Sequence, residues 1–174
     1  MAVQPARVDV GSLVRGGLLT ALVAAVTLSV RIPMPATEGY INVGDAVIIA
    51  GALLYGGRQG GLAGGIGSAL ADLYGGYSHW VPFTLVIKGA EGWLVGGLAR
   101  RLRVDLGRPQ GVVLALVLAV VGTAWMVAGY LLTEWHLYSI GPALASLPGN
   151  AVQAAASIAV GVPLAIALRR TRAR

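Results

Sequence analysis

The sequence contains no cysteine. Disulfide frameworks, thiolate metal sites and cysteine nucleophiles are therefore excluded together, and no redox compartment can be inferred. Charge is scarce too: 11% of the 174 residues are charged, against roughly a quarter in a soluble domain. The phosphate-binding pattern G-x-x-x-x-G-K-[ST] does not occur, so the chain is not expected to hydrolyse ATP by that route. The H-E-x-x-H and G-x-S-x-G patterns of metalloproteases and serine hydrolases are missing as well. His79 and His136 have no second histidine at helical spacing, so no metal site is expected. No catalytic residues and no cofactor held by this chain are expected.

What the sequence does hold is apolar. Hydrophobic residues make up 56% of it, and its mean hydropathy is +0.76. Apolar stretches cover residues 13–30, 41–56, 60–74, 81–98, 111–132 and 150–168. A spanning helix needs about 20 residues, within a range of about 17 to 25, so the second and third stretches must borrow from their flanks. The expected fold is all-α: six transmembrane helices in one domain over residues 1–174. Brief connections rich in turn formers, Gly56 to Gly60 and Arg108 to Gly111, separate the spans. Only the fifth, Thr133 to Gly149, has room for a short extra helix. Arg7 and Arg15 ahead of an apolar run imitate a signal peptide, but no A-x-A-like site closes it. No internal repeat of 20 to 50 residues occurs.

A net charge of +6 invites a nucleic-acid reading. The placement of the thirteen basic residues argues for lipid instead. With the N-terminus cytoplasmic, Arg7, Arg15, Arg58, Arg100, Arg101, Arg103, Arg108, Arg169, Arg170, Arg172 and Arg174 lie on the inner side. Arg31 alone lies outside, and Lys88 is within a span. That asymmetry follows the positive-inside rule for an even number of crossings, with both termini cytoplasmic.

Ionisable groups within spans are costly, about 2.5 to 3.5 kcal/mol each on insertion scales, and so need a reason. Asp45, Asp72, Lys88 and Glu91 all fall in the outer half or near the midplane. The same side carries Tyr40, Asn42, Tyr77, His79, Trp80, Glu134, Trp135, His136 and Tyr138, and Asn150 and Gln153 open the sixth span. Aromatic faces with a few convergent polar groups suit a small, flat, polar heterocycle, which stacks on the rings and is oriented by the polar atoms. Ten residues are expected to line or cover that site: Tyr40, Asn42, Asp45, Tyr77, His79, Trp80, Lys88, Glu91, Asn150 and Gln153. Plainer roles stand beside this one. Lys88 and Glu91, three apart, can neutralise each other; Asp45 can pair with Lys88; Trp80 and Trp135 can be interfacial anchors; Asn150 and Gln153 can brace helix ends.

Gly17, Ala21 and Ala25 recur every four residues and leave one face of the first helix nearly bare, which permits close approach of another helix. That helix is either another part of this bundle or another membrane subunit. Gly57, Gly61 and Gly65, with Gly60, Gly64 and Ser68, make similar faces on the third helix, expected to be internal.

The runs Tyr40-Ile-Asn-Val-Gly-Asp45, Gly67-Ser-Ala-Leu-Ala-Asp72-Leu-Tyr-Gly-Gly-Tyr77, Thr84-Leu-Val-Ile-Lys88-Gly-Ala-Glu91-Gly and Pro148-Gly-Asn150-Ala-Val-Gln153 resemble, in that order, the substrate-binding S component of energy-coupling factor (ECF) vitamin transporters. The resemblance covers about residues 15 to 168 and is nearest the branch associated with hydroxymethylpyrimidine and pyridoxine. It implies high-affinity capture of a vitamin-like solute from outside a prokaryotic plasma membrane. It further implies docking, through the face that holds Ala21 and Ala25, onto a membrane coupling subunit with two ATPases, so that ATP is used by partners. Toppling then releases the solute inward. Two other readings compete. A stand-alone facilitator needs a polar path through both halves, and a membrane scaffold leaves the cluster of Lys88, Glu91, Asn150 and Gln153 unexplained.

Overall fold

The computed structural model describes residues 9–172. Arg7 and Arg174, assigned above to the inner side, lie outside them, and so does the side chain of Arg172. Among the described residues there are six helices: α1 (Val10–Ser29), α2 (Gly44–Tyr55), α3 (Gly57–Gly75), α4 (Val81–Arg101), α5 (Pro109–Tyr138) and α6 (Ile140–Arg172). Three are long and apolar enough to cross a membrane by length and composition: Val10–Ser29, Pro109–Tyr138 and Ile140–Thr171. The 19-residue α3 and 21-residue α4 are long enough as well, but glycines and buried charges dilute their hydropathy.

Several boundaries differ from those read in the sequence. Between Ser29 and Gly44 the chain forms an antiparallel hairpin of β1 (Arg31–Met34) and β2 (Gly39–Asn42), which pairs Arg31 with Asn42 and Met34 with Gly39. Glu38 takes a left-handed φ of 49° to close its turn. The hairpin stands in for the missing part of the second crossing, because α2 has only 12 residues and spans about 18 Å of a hydrocarbon layer about 30 Å thick. Non-helical backbone at such depth is tolerated where it packs on protein or lines a cavity. The α2–α3 connection shrinks to Gly56, whose φ of 88° suits glycine. Above it the Arg100 guanidinium donates to the Tyr55 carbonyl at 2.9 Å. The segment from Thr133 to Gly149 holds no separate helix: α5 runs on to Tyr138, Ser139 turns the chain with a φ of 108°, and α6 starts at Ile140.

The helices alternate in direction, and this sorts the charges. The α2–α3 turn, the α4–α5 loop and the end of α6 form one end of the bundle, with Arg58, Arg100, Arg101, Arg103, Arg108, Arg169 and Arg170. Gln59 ties the start of α3 to that of α1 by donating to the Ser12 hydroxyl at 2.6 Å. Asp105 ties the α4–α5 loop to α6 through Arg169 at 2.6 Å. The Gly107 amide, Arg169 and Arg108 hold the Asp105 carboxyl below the usual aspartate range. The arginine half is filled by a tight apolar core of Ile49, Ala50, Leu106, Ala115, Ala119, Val162 and Ala165.

The glycines of α3 face inward, as expected. A methyl group at Gly64 would sit 2.7 Å from the Lys88 carbonyl oxygen, and one at Gly65 2.7 Å from that of Leu85. Gly61 faces the Gly89 carbonyl and Gly57 the backbone of Gly97. The α3 and α4 backbones therefore touch over about two turns of α3, the contact that small-xxx-small faces permit. Gly17 is different: a methyl group there would meet nothing within 4 Å. Gly17, Ala21 and Ala25 are exposed on the outside of the bundle, so among the described residues nothing packs closely on this face.

Gly65→Ala is therefore expected to lower the free energy of unfolding in detergent by about 1 to 3 kcal/mol, the usual range for overpacking. Gly17→Ala is expected to leave it unchanged or slightly raised, since a helical glycine is replaced in open space. Equal effects in a denaturant titration would refute the assignment of the two faces.

Candidate functional site

At the hairpin end, five helices and both strands converge on one cavity. It encloses about 420 Å³, counting its open mouth, and its wall includes Thr27, Met34, Gly39, Ser68, Asp72, Thr84, Tyr130 and Glu134. Of the ten residues expected at the site, Tyr40, Asn42, Trp80, Lys88, Asn150 and Gln153 line this cavity. The other four stand behind or beside it. Asp45 is wholly buried and holds Lys88. Glu91 is wholly buried one turn deeper on α4. Tyr77 packs its ring against Tyr40, with centroids 4.6 Å apart. His79 is exposed and meets the Tyr138 hydroxyl at 3.3 Å. His136 and Trp135 are exposed on the last turn of α5, consistent with an interfacial place for Trp135.

The floor is a chain of polar contacts that crosses four elements. Lys88 Nζ donates to Asp45 Oδ1 at 2.5 Å, with both residues almost wholly buried. Gln153 Nε2 donates to Asp45 Oδ2 at 2.7 Å. The Asn42 backbone N–H donates to Gln153 Oε1 at 2.8 Å, and Asn42 Oδ1 accepts the Gly44 N–H at 2.9 Å, which starts α2. Thus α4, α2, α6 and the hairpin are pinned to one another. The mutual neutralisation expected of Lys88 and Glu91 is the weaker contact, at 3.9 Å. Among the described residues Glu91 has no hydrogen-bond partner for either carboxyl oxygen.

The walls are aromatic. Trp80 is 3% exposed and crosses Tyr130 edge to face at 5.8 Å. Its indole N–H donates to the Glu38 carbonyl at 3.2 Å, which fastens the hairpin turn over the cavity. Trp80 is therefore a buried wall of the cavity. Lys88 Nζ lies 5.3 Å from the centre of the Tyr130 ring, within cation–π range. Tyr40 donates to Asp72 Oδ1 at 2.6 Å. Glu134 accepts from the Ser146 hydroxyl, while Thr37 and Asn150 face its carboxyl without closing ordinary hydrogen bonds.

Thr84, Tyr130 and Ser68 were missed as site residues, and Asp72 and Glu134 were noticed but left out. The signal that finds them is helical spacing: Ser68 with Asp72, Thr84 with Lys88 and Tyr130 with Glu134 are each four apart and so share a face. Ending the fifth span at Leu132 had placed Glu134 in a loop.

A helical membrane bundle with a buried, aromatic-walled polar cavity at one end defines a solute-binding membrane protein. Residues 8–170 match the family model for the ECF-type riboflavin transporter, S component, and the chain belongs to the S components of ECF-type vitamin transporters. It is a transporter component, not an enzyme. An uncharacterised protein of Pyrococcus woesei is 43% identical over 148 residues, 85% of this chain and 95% of that one. The thiamine precursor transporter HmpT of Lactococcus lactis subsp. cremoris (strain MG1363) is 31% identical over 140 residues, 80% of this chain and 76% of that one. The fold is similar to a crystal structure of the S component for biotin from an ECF-type ABC transporter, with a TM-score of 0.65 and 18% identity over 99% of this chain and 96% of that one.

Because the Lys88–Asp45 pair is buried, removing one partner strands the other charge. Lys88→Met or Asp45→Asn alone is expected to cost about 3 to 5 kcal/mol. The double variant should recover more than half of that loss. Strictly additive losses in a double-mutant cycle of detergent unfolding would show that the pair does not act as a unit.

Proposed function

We propose that this chain is the substrate-capture subunit of an ECF-type importer. The arginine-rich end and both termini face the cytoplasm of a prokaryotic cell, and the hairpin end opens outward. The cavity binds a small, flat, polar heterocycle of the thiamine-precursor or pyridoxine kind. The observation that carries this reading is the cavity itself: aromatic walls and a fixed floor of Asp45, Lys88 and Gln153 lie at the end that the positive-inside rule puts outside. All ten residues expected above belong to this site, six on its surface and Asp45, Tyr77, His79 and Glu91 as support or cover. The 31% identity to a thiamine precursor transporter favours a pyrimidine over larger vitamins.

The chain needs help to release what it binds. Below the floor Ile49, Ala115, Ala119, Val162 and Ala165 are buried and in contact, and the pocket of that half, between α1, α2 and α6, has mainly apolar walls. This speaks against a stand-alone facilitator, which needs a continuous path. The exposed small-residue face of Gly17, Ala21 and Ala25 fits the coupling subunit, and the two ATPases behind that subunit supply the energy. This chain holds no cofactor of its own in that scheme.

Mass spectrometry of solute that copurifies with the detergent-extracted protein tests the substrate class directly. Asn150→Ala is expected to weaken its binding about tenfold, which corresponds to one buried hydrogen bond of about 1.4 kcal/mol. Ala21→Leu with Ala25→Leu should leave binding intact and abolish uptake in cells. Normal uptake by that variant would remove the docking assignment, and unchanged affinity in the Asn150 variant would remove Asn150 from the site.

A further inference from the structure

The charges around the cavity do not balance. Five ionisable side chains of the hairpin half are buried to 3% exposure or less: Lys88 on one side of the account and Asp45, Asp72, Glu91 and Glu134 on the other. The single cation is already committed, because Lys88 is bonded to Asp45 and faces Glu91 at 3.9 Å. Arg31, at the same end, is exposed and turned to the Gly75 carbonyl. Two carboxyl groups on the cavity wall, Asp72 from α3 and Glu134 from α5, therefore have no cation within salt-bridge distance among the described residues.

Hydrogen bonding points the same way. Asp72 spends one oxygen on Tyr40, and among the described residues its buried Oδ2 has no closed hydrogen bond, with Thr84 facing the carboxyl. Glu134 has a closed hydrogen bond only from Ser146. The Lys88 ammonium and the Gln153 amide are both turned to Asp45, while Asn150 Nδ2 is a buried donor on the wall without a closed hydrogen bond among the described residues. Buried acceptors left open are costly, and a ligand that brings donors relieves that cost. A ligand that brings another negative charge meets repulsion in a medium of low dielectric. The same cavity is lined by the rings of Trp80 and Tyr130, and aromatic faces attract a positively charged ring or ammonium.

We propose that Asp72 and Glu134 set the charge selectivity of the cavity, which admits heterocycles bearing amino groups or a positive charge and rejects those bearing a carboxylate or phosphate. The inference rests on the capture function proposed above and narrows it. A vitamin with an acidic side chain or a phosphorylated precursor is outside the class, and an amino-substituted pyrimidine is inside it.

Three matched probes on one ring test it: 4-amino-2-methylpyrimidine carrying at position 5 an aminomethyl, a hydroxymethyl or a carboxyl group. Binding is measured by calorimetry on the detergent-purified full chain near neutral pH. The aminomethyl and hydroxymethyl compounds should each bind at least tenfold tighter than the acid. Asp72→Asn or Glu134→Gln should narrow that ratio at least threefold, with the aminomethyl compound losing most. An acid that binds as well as the amine overturns the proposal. So does an unchanged ratio in both variants. Should either variant fail to fold, the ratio in the unmodified protein decides. If none of the three binds, the pyrimidine reading fails, and the copurifying solute then judges charge selectivity alone: a cationic or amino-bearing compound upholds it, and a carboxylate or phosphate overturns it.

Discussion

The buried ion pair between Lys88 and Asp45 is the contact on which the rest of the binding half depends. Two charges at that depth are tolerated only if each is fully engaged. Asp45 is held at both oxygens, by Lys88 and by Gln153, and Gln153 in turn takes the backbone of Asn42. One carboxylate thus fixes the relative positions of α2, α4 and α6 and the root of the hairpin. The pair also decides what remains free in the cavity. With the lysine turned to the floor, the wall is left with aromatic faces and open oxygens.

Lys88 can reach Asp45 only because α3 lets α4 come close. The Gly64 and Gly65 positions lie against the Lys88 and Leu85 carbonyls, so side chains there would push α4 away from the bundle axis. The abundance of glycine and the presence of a buried ion pair are therefore one design. Backbone contact between two helices supplies the dispersion energy that lipid cannot supply as a hydrophobic force, and it sets the depth at which the lysine sits. Lys88 is seven residues into α4, about 10 Å from its start, and Glu91 is near the helix midpoint at about 15 Å.

Much of this was legible in the sequence, for physical reasons. Six apolar runs and one-sided arginines report the solvent in which the chain folds. Asp45, Lys88, Asn150 and Gln153 stood out because polar groups are expensive in lipid. The hairpin was not legible: residues 31–42 are short, contain two prolines and make most of their sense through contacts with α4 and α6 that no local pattern announces, such as Trp80 with the Glu38 carbonyl. Tyr130 escaped because a tyrosine in an apolar run reads as lipid-facing until its helix is rotated. Glu134 escaped because hydropathy ends a span where polar residues begin, whereas α5 continues for six residues past Leu132 to Tyr138. The outward direction of Gly17, Ala21 and Ala25 could not be read from periodicity alone, since a smooth face looks the same whether its partner is in the chain or outside it.

The two halves of the bundle are built on opposite principles, and the contrast bears on how a solute gets through. The hairpin half keeps a cavity by burying polar groups that hold one another in place. The arginine half is built on apolar packing: small and branched side chains of α2, α5 and α6 form its core, and the pocket it has, between α1, α2 and α6, is lined mainly by leucines. Opening a passage would require separating that packed core and exposing it to water, which costs about 25 cal/mol for every Å² of apolar surface. Moving the whole body relative to the membrane leaves the core intact and requires only that its outer surface change neighbours. An exposed, nearly featureless α1 face suits such a change, because a smooth contact can be made and broken without unlocking interdigitated side chains. Under the capture function proposed above, a rigid body driven from outside uses both halves as they are built.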